Sequence, residues 1–201
     1  SFDDIYKDNL ALNWPYPTIC HAAGNGTSTE FVNHKGFNTL TLGSHDDTAA
    51  AMASDSVFRN PASTHGDREL PELAANGISV SAVGLMMSGT SFAAPATAGA
   101  TAVIQSVNAT LQSWPEGCRA ILMASAWRNP GGGTWRADLV AGTDARDGSG
   151  ALDTQAAVLI ARSRRSPNAA ATRRGWDVGT IHSAVVDASG LSTFRYQISA
   201  P

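Results

Sequence analysis

One serine of this sequence stands where a loop turns into a long helix, in the heptapeptide GTSFAAP at residues 89–95. The residues that follow, 96–104, are mostly small or apolar and predict a helix that packs closely against a sheet. Ser91 would lie in the first turn of that helix, where unpaired backbone amides and the helix dipole favour negative charge. Pro95 fits, because proline is tolerated in a first helical turn. The segment therefore predicts a serine that can act as a nucleophile.

A second polar residue, Asn25, follows a short apolar stretch in the sequence TICHAAGNG at 18–26. This pattern predicts a strand that ends in a turn bounded by glycines. An asparagine amide could donate an N–H group to the oxyanion of a tetrahedral intermediate without a charge that over-binds the ground state. The alternative is that Asn25 is only a turn residue and that Gly-Thr-Ser is only a helix N-cap.

Three segments together resemble the subtilisin-like serine peptidases, the subtilases. The heptapeptide resembles their nucleophile motif, AAGN at 22–25 resembles the segment with their oxyanion-hole asparagine, and DRELPELAANGI at 67–78 resembles the stretch just before their nucleophile. Asn76 stands where the family usually has proline, but Asn-Gly is itself a strong turn dipeptide. The resemblance implies that Ser91 is the nucleophile and that Asn25 belongs to the oxyanion hole.

The same resemblance implies a serine endopeptidase that hydrolyses peptide or protein substrates. Ala22, Ala23 and Gly24 would then form part of the pocket for the residue before the scissile bond. One alternative stays open, a non-catalytic peptide-binding or structural module on a degenerate subtilase scaffold. An esterase of another fold is disfavoured, because the serine segment lacks the Gly-X-Ser-X-Gly elbow. An extracellular or extracytoplasmic location follows from the resemblance alone.

The catalytic aspartate and histidine of the family have no match in this sequence. In subtilases both lie well upstream of the oxyanion-hole asparagine, and only 24 residues precede Asn25. Recruiting Asp3 or Asp4 with His65 is rejected, because His65 falls in the loop already matched to the segment before Pro-Glu-Leu. The two aspartates suit the first turn of a short surface helix over 2–10. We expect the C-terminal half of a catalytic domain, a fragment or one chain of a nicked enzyme, with no turnover of its own.

A half domain of this kind would leave the inner edge of its sheet unpaired. The predicted partners are therefore the missing N-terminal half of the same protein or a second copy in a homodimer. The sequence begins Ser-Phe-Asp, without an initiating methionine or a signal segment, and we expect the true N-terminus elsewhere.

The composition favours a globular protein. The chain has 201 residues, of which 15% are charged and 43% hydrophobic, with a net charge of -3. This length can bury a sizeable core, and the charge balance lacks the basic surplus of a nucleic-acid-binding protein. No run of 18 apolar residues occurs, so we predict neither a nucleic-acid nor a membrane partner.

No cofactor or metal is predicted. The histidines at 21, 34, 45 and 182 show no i, i+4 pair with an acidic neighbour in register. Asp46 and Asp47 could contact a structural calcium ion, but a solvated pair of loop residues is the favoured interpretation. Cys20 and Cys118 are too few for a disulfide framework and are predicted to be free, mostly buried thiols.

Apolar strands joined by helices predict an α/β fold, with a parallel sheet flanked by helices and a site at the carboxyl ends of the strands. We expect the C-terminal part of a subtilase catalytic domain over 1–162, a linker over 163–175 and a β extension over 176–201. That extension is predicted as a hairpin, the start of a C-terminal β module. The predicted strands are 18–23, 37–42 and 78–84, and the predicted helices are 91–111, 116–127 and 152–162.

Overall fold

The computed structural model describes residues 2–27, 30, 32, 34–49, 51–58, 70–127, 147–179, 181 and 186–199. Its elements, in chain order, are α1 (Phe2–Asn13), β1 (Ile19–Ala22), β2 (Thr39–Asp46), β3 (Ala51–Met52), β4 (Leu73–Asn76), β5 (Val80–Ala82), β6 (Leu85–Met87), α2 (Thr90–Val107), a 3-10 helix (Ala109–Ser113), α3 (Pro115–Ser125) and α4 (Thr154–Ala161).

The main sheet is built around β2. Strands β1 and β4 both pair with β2 in parallel, so that Leu42 lies opposite Ala22 on one side and Leu73 on the other. The short β3 pairs antiparallel with the end of β2. All of β2 except Asp46 is buried, as is typical of a parallel strand covered on both faces. The predicted α/β class with a parallel sheet is confirmed.

Helix α2 packs on this sheet through small residues. Its buried positions recur at helical spacing and contact the strands β1, β2 and β4: Thr90, Ala93, Thr97, Ala100, Thr101 and Ile104. The hydroxyl groups of Thr97 and Thr101 donate to carbonyl oxygens one turn earlier, which satisfies them inside the core. Small side chains at most of these positions let the helix backbone approach the sheet closely.

The third parallel strand differs from the prediction. Over 78–84 we expected a sheet strand, but the buried parallel strand is β4, whereas β5 and β6 form a separate antiparallel hairpin. The side chains of that hairpin are largely exposed. Because β4 has the sequence LAAN, it lacks the β-branched residues and the alternation that indicate a strand. The following Asn-Gly dipeptide also indicates a turn, and Asn76 Oδ1 accepts from the backbone N of Ile78 at 3.4 Å.

A buried carboxylate joins the sheet to α3. Glu72 is only 4% exposed, and its two oxygens accept from the backbone N of Thr41 and from the guanidinium of Arg119. Arg119 also donates to the carbonyl of Phe37 at 2.9 Å. Glu72 therefore links the central strand to a helix that lies far along the chain.

Replacing Glu72 with alanine is expected to lower the free energy of unfolding by about 3 kcal/mol, because it leaves Arg119 and a buried backbone N–H without their partner. Urea denaturation of the full-length protein measures this loss. The exposed Glu30 provides the control, and Glu30→Ala should change stability by no more than about 0.5 kcal/mol. Equal effects of the two substitutions would show that the Glu72 link does not stabilise the fold.

The segment after α4 returns to the core. Trp176 is 8% exposed, belongs to the main apolar cluster and donates its indole N–H to the carbonyl of Ala161 at 2.9 Å. Isolated bridges join Arg164 to Trp176 and Thr172 to Ile198. The predicted hairpin of the C-terminal extension includes residues 180 and 182–185, which lie outside the described residues, and so it stays a prediction, as do the predicted domain boundaries.

Across the parts of the chain that the structure describes, none of the helices has the length and apolar character needed to span a membrane.

Candidate active site

The start of α2 depends on a glycine. Gly89 precedes the helix with a φ angle of 145°, a backbone conformation that residues other than glycine rarely adopt. Its backbone N donates to the carbonyl of Gly77 at 2.7 Å. A Cβ atom at this position would lie 3.1 Å from Oδ1 of Asn25. Gly89 therefore permits the close approach of Asn25 and anchors α2 just after the carboxyl end of β4. Ser91, the second residue of α2, is exposed there.

Asn25 is held against the same helix start. Its Oδ1 accepts from both the backbone N and the Oγ1 of Thr90, each at 3.0 Å, and Oγ1 of Thr90 also accepts from the backbone N of Gly24 at 3.2 Å. A backbone N–H can only donate, so this network fixes which end of the amide faces the helix. Asn25 and the residue next to Ser91 are thus in contact, while the oxyanion-hole role of Asn25 stays a prediction.

The donor end of the Asn25 amide faces Asp55. Nδ2 donates to Oδ2 of Asp55 at 3.0 Å, and the two segments are also joined by a hydrogen bond from Gly26 N to Asp55 O at 2.7 Å. The amide carries two N–H groups, and Asp55 accepts one of them. Sequence reasoning missed Asp55, since an aspartate in a polar loop gives no local signal for this contact.

All three residues expected to line a substrate pocket have backbone groups with partners, and Ala22 pairs with Leu42 across β1 and β2. Ala23 is buried with Val32, Val57 and Leu70, and its N–H donates to the carbonyl of Leu42 at 2.9 Å. Gly24 uses its N–H for Thr90 and its carbonyl for Val57. Contact of Ala22, Ala23 or Gly24 with a substrate stays a prediction.

The described histidines lie beside carboxylates. His21 and His34 both face Asp3, which lies in the first turn of α1, a helix that extends three residues past the predicted end at residue 10. His45 lies buried on β2, with Nε2 3.2 Å from Oδ1 of Asp47. His65 and His182 lie outside the described residues.

The carboxylate of Asp46 closes a turn. Its Oδ1 accepts from the backbone N of Thr48 at 2.8 Å and from that of Ala49 at 3.2 Å. These bonds stabilise the turn after β2, which accounts for an aspartate at the end of that strand. The alternative of a calcium ion at Asp46 and Asp47 stays untested.

Both cysteines are free thiols, as predicted. Cys118 is buried and donates to the carbonyl of Leu111 at 3.3 Å. Burial raises the pKa of the Cys20 thiol to about 11. Cys20 is therefore protonated at neutral pH, which disfavours it as a nucleophile.

We expect native Cys20 to resist alkylation. With its pKa raised to about 11, only about one thiol in a thousand is ionised at pH 8, and the thiolate is the reactive form. Reaction with iodoacetamide, followed by mass spectrometry, should be at least about 100-fold slower in native than in urea-unfolded protein at pH 8. The native rate should rise as the pH approaches 11. A native rate equal to the unfolded one would contradict this expectation.

The parallel α/β sheet carries a serine at a helix start and an asparagine amide that contacts the residue before that serine. Both segments follow the carboxyl ends of strands, an arrangement typical of a hydrolase-like α/β class. Within that class the chain belongs to the subtilase family, whose family model matches residues 13–176. No curated protein matches the chain by comparison.

Solved protease structures share the fold. A protease from Pseudoalteromonas arctica is 21% identical with a TM-score of 0.54, over 78% of this chain and 46% of that one. The self-cleaved protease domain of PatA is 20% identical with a TM-score of 0.55, over 79% and 54%. The epidermin leader peptide processing serine protease from Staphylococcus aureus is 20% identical with a TM-score of 0.58, over 80% and 44%. The chain thus spans about half the length of these structures.

Proposed function

We propose that the full-length protein is a subtilisin-type serine endopeptidase with Ser91 as its nucleophile. Ser91 Oγ attacks a peptide carbonyl, a histidine takes its proton, and an aspartate orients that histidine. The histidine then protonates the leaving amine as the peptide C–N bond breaks, and water hydrolyses the resulting acyl-enzyme. Asn25 and the backbone N–H of Ser91 stabilise the oxyanion.

The observation that carries this proposal is the contact between Asn25 and Thr90. Two hydrogen bonds between these residues, with a third from Gly24 N to Thr90 Oγ1, join the end of β1 to the start of α2 at 3.0–3.2 Å. Because Oδ1 of Asn25 faces Thr90, the residue before the exposed Ser91, the donor end of the amide points away from the helix start, and one of its two N–H groups donates to Asp55. Preorganised donors of this kind stabilise charge that develops in the transition state.

The catalytic aspartate and histidine would come from the half of the catalytic domain that this chain does not span. Their source is the missing N-terminal half of the same protein, which would pair with the free edge of β1, a strand that pairs only with β2 among the described strands. A homodimer across the same edge is the second candidate arrangement. The substrate is a peptide or protein lying extended beside a strand, and the location is extracellular or extracytoplasmic.

A fluorophosphonate probe on the full-length protein tests this function. The probe phosphonylates an activated serine, and we expect one label per chain, at Ser91, located by peptide mass spectrometry. Ser91→Ala should take no label, while Ser106→Ala, at the far end of α2, should be labelled normally. Absence of label on a folded full-length protein would overturn the peptidase proposal.

The 201-residue chain alone should show no measurable peptidase turnover, because loss of triad members leaves only residual catalysis. Casein hydrolysis by the purified chain, free of any partner, is the measurement. Cleavage by this chain that disappears in Ser91→Ala would contradict the expectation and would place the whole triad within these residues.

A non-catalytic peptide-binding module is the second candidate, and Asp55 favours it. The Asp55 carboxylate accepts the Asn25 amide at 3.0 Å and places negative charge beside the proposed oxyanion site. An oxyanion there would be destabilised by this like charge. Retained peptide binding without probe labelling would select this candidate.

A further inference from the structure

Three side chains with metal-ligating atoms, none of them a proposed catalytic residue, lie close together. Asp3 of α1, His21 of β1 and His34 each offer one ligand atom, and these atoms all lie within 4.8 Å of one another. Oδ2 of Asp3 lies 3.3 Å from Nδ1 of His34 and 3.8 Å from Nε2 of His21. The two imidazole rings are 3.8 Å apart between centroids.

The two separations between Asp3 and the histidines are near those of a tetrahedral metal site. Zn²⁺ binds imidazole nitrogen and carboxylate oxygen at about 2.0–2.2 Å, so two ligand atoms around one tetrahedral ion lie about 3.3 Å apart. The distances from Asp3 to the two histidines are therefore close to those of a ligated set. Two histidines and a carboxylate also leave a fourth position open for water or another ligand.

The tautomer of His21 suits this role. Its Nδ1 lies 2.9 Å from the carbonyl oxygen of Ala22, and because a carbonyl only accepts, Nδ1 carries the proton. The other ring nitrogen, Nε2, lies on the side of Asp3 and His34. A backbone carbonyl that fixes the far nitrogen of a ligating histidine is a common outer-shell feature of metal sites.

His34 places a ring nitrogen close to Asp3 and His21. Its Nδ1 is buried and has no hydrogen-bond partner among the residues that the structure describes, although Asp3 lies 3.3 Å away. The Asp3 side chain is 48% exposed, so an ion could enter from solvent on that side.

Two charged side chains modify the cluster. Lys7, one turn along α1, donates to the same Oδ2 atom of Asp3 and competes with a cation for it. Oδ1 of Asp4 lies 4.0 Å from Nδ1 of His34 and adds negative charge on the other side. A bound divalent ion would replace the Lys7 ammonium at Asp3.

We propose that Asp3, His21 and His34 form a binding site for a borderline divalent metal ion, with Zn²⁺ as the expected ion. Such an ion would tie the start of α1 and the segment at residue 34 to β1, the strand that leads to Asn25. The site uses none of the atoms proposed for peptide hydrolysis, so it stands or falls independently of Ser91. Spacings of 18 and 13 residues between its ligands form no motif, which is why the sequence did not indicate it.

Cobalt titration of the tag-free, EDTA-treated full-length protein tests the site. We expect one equivalent of Co²⁺ to give the visible absorption of a tetrahedral ion, and Zn²⁺ to displace it. Asp3→Asn, His21→Gln and His34→Gln should each weaken Zn²⁺ binding by at least about 100-fold, beyond the 10- to 100-fold typical of outer-shell residues. Far-UV circular dichroism of the metal-free variants checks their folding.

Two further variants keep the test decisive. Asp47→Asn is the matched control, because Asp47 also faces a histidine, His45, outside the proposed ligand set, and it should leave binding unchanged. Lys7→Met should tighten Zn²⁺ binding about 3- to 10-fold, a gain that unfolding cannot produce. The proposal would be overturned if the wild type showed no cobalt absorption or if all the ligand variants bound Zn²⁺ as tightly as the wild type. It would also be overturned if Asp47→Asn lost as much Zn²⁺ affinity as Asp3→Asn.

Discussion

Replacing Ser91 with alanine is expected to lower kcat of the full-length protein by about 10⁶-fold, the order of loss found when a subtilisin loses its serine. The change removes the nucleophile, so neither the tetrahedral intermediate nor the acyl-enzyme can form. KM should change little, because binding of an extended peptide does not use the Ser91 hydroxyl. Steady-state hydrolysis of a chromogenic peptide, with the burst amplitude as a count of active sites, measures both quantities.

A matched serine variant makes the result specific. Ser106 lies on the same helix, is exposed and donates to the carbonyl of Val103 at 2.7 Å, so Ser106→Ala tests loss of a helical serine without loss of the nucleophile. It should retain full turnover. Activity of Ser91→Ala within tenfold of the wild type, after contaminating peptidases are excluded by the probe, would require another nucleophile.

The parts of the site that were predictable are local in sequence. The residues that begin α2 and those that end β1 each form a compact segment whose types and order indicate both the element and its role. The contact between them follows from the parallel sheet, since both segments come after the carboxyl ends of strands in that sheet. The fold class and the contact of Asn25 with the start of α2 could therefore be predicted from the sequence.

The parts that were missed depend on distant contacts or on weak patterns. Strand β4, with the sequence LAAN, has three consecutive buried residues, so no alternation marks it. Asp55 reaches Asn25 from a separate loop 30 residues along the chain, and Asp3 meets His21 and His34 only because α1 lies beside the end of β1. Contacts between separate segments require the folded arrangement, and residue spacing alone cannot supply them.

Replacing Asn25 with alanine is expected to lower kcat of the full-length protein about 10²- to 10³-fold, the range known for loss of one oxyanion-hole donor in a subtilisin. KM should stay nearly constant, because the amide donates to the oxyanion of the transition state more strongly than to the ground-state carbonyl. Asn25→Asp keeps the shape but removes the donor and adds charge, so it should be at least as severe. The exposed amide of Asn38, which bonds to Asp8, provides the control variant Asn38→Ala.

The size of the Asn25 effect also reports on Asp55. One N–H of the amide donates to Asp55 at 3.0 Å, so the oxyanion must be served by the other N–H group. A loss of about 10²-fold or more would show that this single remaining donor is sufficient and correctly aimed. A loss of less than about tenfold, beside a Ser91→Ala variant that is inactive, would show that Asp55 holds the amide away from the reaction. In that outcome the backbone N–H of Ser91 carries the oxyanion hole, and Asn25 serves to fix the start of α2 through Thr90.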